Sequence, residues 1–202
     1  MENHLLDQET KKGFAKFIST ITHPPLIAIP TFILINIFLL GFIDSLVINI
    51  ICLIFAAILP ILTSLILIKK MDTDIDITDR TKRTLPLFFA VCSYIIGFII
   101  LFIIDAPSIT TALMLIYFSN TLIILLINLS WKISIHAMGV AGPTAALIYL
   151  FGLPGVIFAI TIPLVMWSRD ILKKHTLSQV LAGSVLGLIL TSVQLYYIVP
   201  LI

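Results

Sequence analysis

Six stretches of this chain contain no Lys, Arg, Asp or Glu, at roughly 24–43, 45–68, 84–104, 106–131, 133–168 and 176–202. A helix needs about 20 uncharged residues to cross the hydrocarbon of a bilayer. Inside lipid the backbone must satisfy its own hydrogen bonds, which leaves helices or a closed barrel. Long apolar runs without two-residue alternation exclude the barrel. The expectation is an all-α, polytopic transmembrane helical bundle.

Composition agrees. The chain has 202 residues, 60% hydrophobic and 11% charged, with a mean hydropathy of +1.19. No soluble domain of this length has enough interior to hide that much apolar surface. Cys52 and Cys92 both fall inside apolar segments, where they read as small packing residues. No repeat, linker or low-complexity segment marks a second domain, so residues 1–202 read as one transmembrane domain with a polar N-terminal tail over 1–22. The segment after that tail is too long for a signal-peptide core and reads as a retained first helix.

The stretch 133–168 is too long for one crossing. Phe151-Gly152-Leu153-Pro154-Gly155 marks a tight turn within it, between helices at about 137–152 and 154–168. Seven crossings result, or six if one of the short ones is re-entrant. Threading the chain alternately through a membrane puts the tail, the loop 69–83, the stretch at Lys132 and the loop 169–175 on one face. That face then holds all 12 Lys and Arg residues. By the positive-inside tendency it is cytoplasmic, in a multi-pass cell-membrane protein.

The same face collects chemistry. Arg80, Lys82 and Arg83 precede one helix, and Ser134 and His136 precede a second. Ser168 and Arg169 end a third, while His175 and Gln179 begin a fourth. Guanidinium groups bind phosphate through paired hydrogen bonds, and helix N-termini add free N–H donors. Two histidines among such donors can divide labour, one attacking and the other protonating the leaving oxygen.

The run from Ser168 to Gly183 makes the reading specific. It resembles the third signature of the PAP2 (type 2 phosphatidic acid phosphatase) superfamily: S-R, five residues, H, three residues, D-V, two residues, G. Ser168, Arg169, His175, Val180 and Gly183 match at that spacing, and Gln179 stands in place of the aspartate. Ser134-Ile135-His136 is similar to the second signature, P-S-G-H, with Ile133 and Ile135 replacing its proline and glycine. Of the first signature, K, six residues, R-P, only Arg83 remains: Asp76 occupies the lysine position and Thr84 follows the arginine. Arg80 or Lys82 is a substitute for the missing cation. The resemblance spans about residues 69–190.

What it implies is a lipid phosphate or diphosphate phosphatase acting on an isoprenoid or glycerolipid phosphate. His175 would attack phosphorus and form a phosphohistidine, and His136 would protonate the departing alkoxide. Arg169, Arg83 and Ser134 would hold the phosphate oxygens, with no metal or other cofactor. Gln179, one helical turn after His175, is placed to accept a hydrogen bond from its ring. A neutral amide stabilises an imidazolium less than a carboxylate does. The partners expected are the membrane and a lipid phosphate, with no nucleic acid.

Other features have plainer readings. His4 and His23 read as solvated or structural, and Lys69, Lys70, Lys173 and Lys174 as headgroup anchors. Gly183 and Gly187, like Gly139 and Gly142, suit close helix packing. Asn36, Asn49, Asn120 and Asn128 suit hydrogen bonds between helices. The loop from Asp72 to Asp79 holds four aspartates. With Arg80, Arg83 and Pro86 it resembles the first aspartate motif of UbiA-type prenyltransferases, which would bind Mg²⁺ and a diphosphate. That family has a second aspartate-rich loop, and here the late loop offers only Asp170. The simpler reading is that the acids neutralise neighbouring cations and cap the next helix. A non-catalytic lipid- or anion-binding or transport bundle is the remaining alternative. A channel has little support, because no line of ionisable residues runs through the spans.

Overall fold

The computed structural model describes residues 2–74 and 77–202; it is all-helical, with no strand among those residues. Helix α1 (Glu2–Ile21) turns through 54° into α2 (Pro24–Leu40). The bend falls at His23, whose backbone is extended, as a residue before proline must be. α3 runs over Leu46–Met71 and ends at Asp72 in the left-handed conformation. A short 3₁₀ turn at Thr81–Arg83 leads into α4 (Thr84–Ile103), and α5 covers Ser108–Asn128. α6 (Ile135–Phe151) stops at Gly152, which takes a positive φ. A 3₁₀ stretch at Leu153–Ile160 leads into α7 (Thr161–Ile171), and α8 (Leu177–Ile198) closes the chain.

Five of these helical units are long and apolar enough to cross a membrane, and the bent pair α1–α2 makes a sixth. α6, at 17 residues, is shorter than a full crossing. The turn at 151–155 falls where glycine allows it: a Cβ on Gly155 would strike the carbonyl of Leu147. Residues 1–22, expected as a polar tail, form a helix from Glu2 onward. Ala15, Ile18, Ser19 and Thr22 recur at helical spacing and are buried. Beside that stripe, Phe14 meets the Trp167 ring of α7 at 5.8 Å.

Two apolar clusters hold the bundle. The larger gathers Phe32, Ile35, Leu101, Leu113, Met114 and Leu195, and the smaller, nearer the basic face, Leu87, Ile124, Ile133 and Met138. Polar residues tie the helices across the interior. Asn36 donates to Asn49 at 2.9 Å and accepts from Thr110, and Asn120 donates to Thr191 at 2.9 Å. Within α3, Ile54–Ile58 form a π turn. Such a turn frees a carbonyl from the α ladder, and here Ser93 Oγ of α4 donates to Phe55 O at 2.7 Å.

α6 and α8 cross closely because α8 presents glycine there. A Cβ on Gly183 would lie 2.5 Å from Ser134 O, and one on Gly187 2.8 Å from Met138 O. The basic segments do share one face. Lys132 Nζ reaches Lys174 O at 3.0 Å, Lys174 pairs with Asp74 at 2.7 Å, and Arg83 reaches Ile133 O at 3.4 Å.

Candidate functional site

A cavity of about 470 Å³ enters the bundle at that face. Its body is apolar, walled by residues such as Pro60, Leu87, Leu113 and Ile116. Its polar end carries Arg83, His136, His175, His23 and Lys16. Residues more than 150 positions apart in the chain therefore face one space, cationic where Arg83 and Lys16 stand and mostly apolar elsewhere, with Asn120, Thr121 and Thr191 as polar points on the wall.

Local structure explains how the two predicted histidines arrive there. Ser134 caps α6, its Oγ accepting from Ala137 N at 3.3 Å, and so starts the helix two residues before His136. Ser134 N donates to Gln179 O at 3.2 Å, stitching the start of α6 to the first turn of α8. Thr176 caps α8 in a reciprocal box: Gln179 N donates to Thr176 Oγ1 at 3.4 Å, and Thr176 N donates to Gln179 Oε1 at 3.3 Å. The same Oε1 lies 3.0 Å from His175 Nδ1. An amide oxygen only accepts, so Nδ1 carries the proton and Nε2 keeps its lone pair.

His175 is held neutral. Burial pushes its pKa down to about 3, helped by the nearby charges of Arg83, Arg169 and Lys132, and the Gln179 bond only partly opposes this. Arg83 is buried and donates from Nε to Ile77 O at 2.6 Å. Ile77 takes a φ of +44°, a strained conformation for a β-branched residue, and in it accepts from the guanidinium.

The other predicted residues stand apart from the cavity wall. Arg169 is buried behind it and donates from Nη1 to Ser19 Oγ of α1, while Ser168 Oγ donates to Ala15 O at 2.7 Å. The serine–arginine pair thus fastens α1 to α7. Arg80 donates to Asn128 O at 2.6 Å and accepts from Asn128 Nδ2 at 3.0 Å. Lys82 Nζ donates to Met71 O at 2.9 Å, capping the end of α3. Ser134 is the α6 cap, fully buried. Asp76, expected at the lysine position of the first signature, lies outside the described residues.

The aspartate loop is occupied with its own structure. Asp74 accepts from Thr78 N at 2.8 Å, from Thr78 Oγ1 at 2.6 Å and from Lys174. Partial burial pulls its carboxyl up, but the bonds from Lys174 and Thr78 outweigh that and hold it well below the usual carboxylate range. Asp79 Oδ1 accepts from Thr81 N at 2.9 Å and holds the 3₁₀ turn. Among the described residues no three His, Cys, Asp or Glu side chains cluster as a metal site.

Sequence reading missed α1 and His23. Lys16, Ser19, Thr20 and His23 all line the cavity, and the His23 ring stands edge-on to His136, centroids 5.2 Å apart and planes at 83°. The buried stripe Ala15, Ile18, Ser19, Thr22 at helical spacing was the available signal. His23 carried none, since its contact with α6 depends on the bend.

Fold and composition define an all-α, multi-pass membrane protein. Comparison with protein-family models, with curated proteins and with solved structures finds no match to this chain.

Proposed function

We propose that the protein is a membrane-embedded phosphatase of PAP2 type, acting on the phosphate or diphosphate of a lipid whose apolar body lies in the cavity. The observation that carries this reading is the lining of that cavity: three histidines, Arg83 and Lys16 on a wall that is otherwise mostly apolar. An amphiphile with an anionic head is complementary to both parts.

In the proposed reaction the lone pair of His175 Nε2 forms a bond to phosphorus as the P–O bond to the lipid breaks. His136, protonated, gives its proton to the departing alkoxide. Water then attacks the phosphohistidine, passing a proton to His136, and the P–N bond breaks to release inorganic phosphate. Arg83 faces the phosphate oxygens, and Gln179 holds the attacking ring in the required tautomer. Arg169 acts from behind the wall through its charge. The positive-inside tendency puts the site at the cytoplasmic boundary of the cell membrane.

The test is phosphate release by detergent-purified protein from phosphatidate and from a polyprenyl phosphate, with EDTA present. Turnover is expected with wild type and is expected to vanish in His175→Ala. Full activity in that variant removes the nucleophile, and a strict Mg²⁺ requirement favours the prenyltransferase reading. Bound lipid phosphate that raises thermal stability yet is never hydrolysed favours a binding protein. A single cysteine at Ile171, in a background lacking Cys52 and Cys92, reports the orientation by labelling from one side.

A further inference from the structure

From the edge-on contact of the two rings and their shared cavity, we infer that His23 is the positioning residue of His136, and that the α1–α2 bend exists to deliver it. The inference rests on the phosphatase reading, in which His136 must carry a proton to the leaving oxygen.

A general acid needs a partner that orients it and supports its charged form. His175 has Gln179 at 3.0 Å. For His136 the adjoining side chain is His23, its ring edge-on with 5.2 Å between centroids. A neutral imidazole has one accepting nitrogen and so can accept from an imidazolium N–H. That support matters because burial, with Arg169 behind the wall and Arg83 on it, opposes a proton on His136, as would a proton on either neighbouring histidine, His175 or His23, so His23 can help only as a neutral acceptor.

The placement is built into the backbone. Pro24 follows His23 and presses on α6 at Gly139, one turn beyond His136, where a Cβ would lie 2.6 Å from Pro24 Cβ. Glycine at 139 lets the start of α2 approach so closely, and the extended backbone at 23 turns the imidazole inward.

The experiment compares wild type, His23→Ala and His23→Asn for phosphatidate hydrolysis across pH 5–9, with thermal melts to confirm folding. Expected for His23→Ala is a fall in kcat of about 10²-fold, the lower end of what acid–base catalysis supplies, with KM little changed and the limb on which His136 loses its proton displaced to lower pH. His23→Asn, which restores an acceptor, should recover part of kcat and part of that displacement. Unchanged kcat and pH profile in His23→Ala overturns the inference while leaving the phosphatase reading intact. A rise in KM alone shows a wall residue and overturns it too. Wild-type protein without turnover defeats the phosphatase reading and this inference with it.

Discussion

The backbone N–H of Ser134 donates to the carbonyl oxygen of Gln179 at 3.2 Å. This bond ties the cap of α6 to the first turn of α8, so the backbones that carry His136 and His175 are held together.

Closeness at that crossing depends on Gly183. A methyl group there meets a carbonyl oxygen at 2.5 Å, a backbone atom that cannot swing aside. Gly183→Ala should cost about 1–3 kcal/mol, read as a lowered melting temperature in detergent, with activity falling further than stability alone explains. A variant as stable as wild type would show that the helices can part without strain.

Gln179 has two duties, closing the α8 cap and orienting His175. Gln179→Ala should therefore lose both stability, about 1 kcal/mol for the cap, and the fixed tautomer. Gln179→Asp should raise the pKa of His175, because a carboxylate favours the charged ring. Histidine-resolved NMR titration measures the direction, and an unmoved His175 resonance would contradict the 3.0 Å contact.

Stability should depend on pH through His175. In the unfolded chain its pKa is about 6.5, and in the fold about 3. Between those values the unfolded state binds more protons, so stability is full above pH 6.5 and declines as pH falls toward 3. Thermal melts of His175→Gln against wild type should show a flatter dependence over pH 4–6.5.

The Asp74–Lys174 pair offers a contrast. Its partners are 41% and 27% exposed, so the attraction is screened and worth under about 1 kcal/mol. Asp74→Asn should lower the melting temperature slightly in low salt and negligibly in 1 M NaCl. A large, salt-independent loss would point instead to the bonds with Thr78 as the real function of Asp74.

Most of the bundle was legible in the sequence because membranes demand uncharged stretches, and charges mark where each one ends. The break at Gly152 was legible for the same reason that Gly and Pro punctuate any helix. The interior asparagines do bond between helices, Asn36 with Asn49 and Thr110, Asn120 with Thr191. Within the basic face, however, residue type says which cations are present and not which ones face the cavity. All three hold backbone carbonyls, but only Arg83 also lines the cavity, a difference set by a loop whose path leaves no periodic trace. α1 was hidden because its many polar residues mask the buried stripe of Ala15, Ile18, Ser19 and Thr22.

The π turn at Ile54–Ile58 sets the rotational phase of everything in α3 that follows it. Pro60, Ile61, Ser64, Leu65 and Ile68, all on the cavity wall, lie downstream. Each residue advances a helix by about 100°, so deleting one from the turn would swing that wall away from the two histidines and put lipid-facing side chains in its place. The outline of the chamber is thus written partly in an irregularity deep in the membrane, in residues that never touch it.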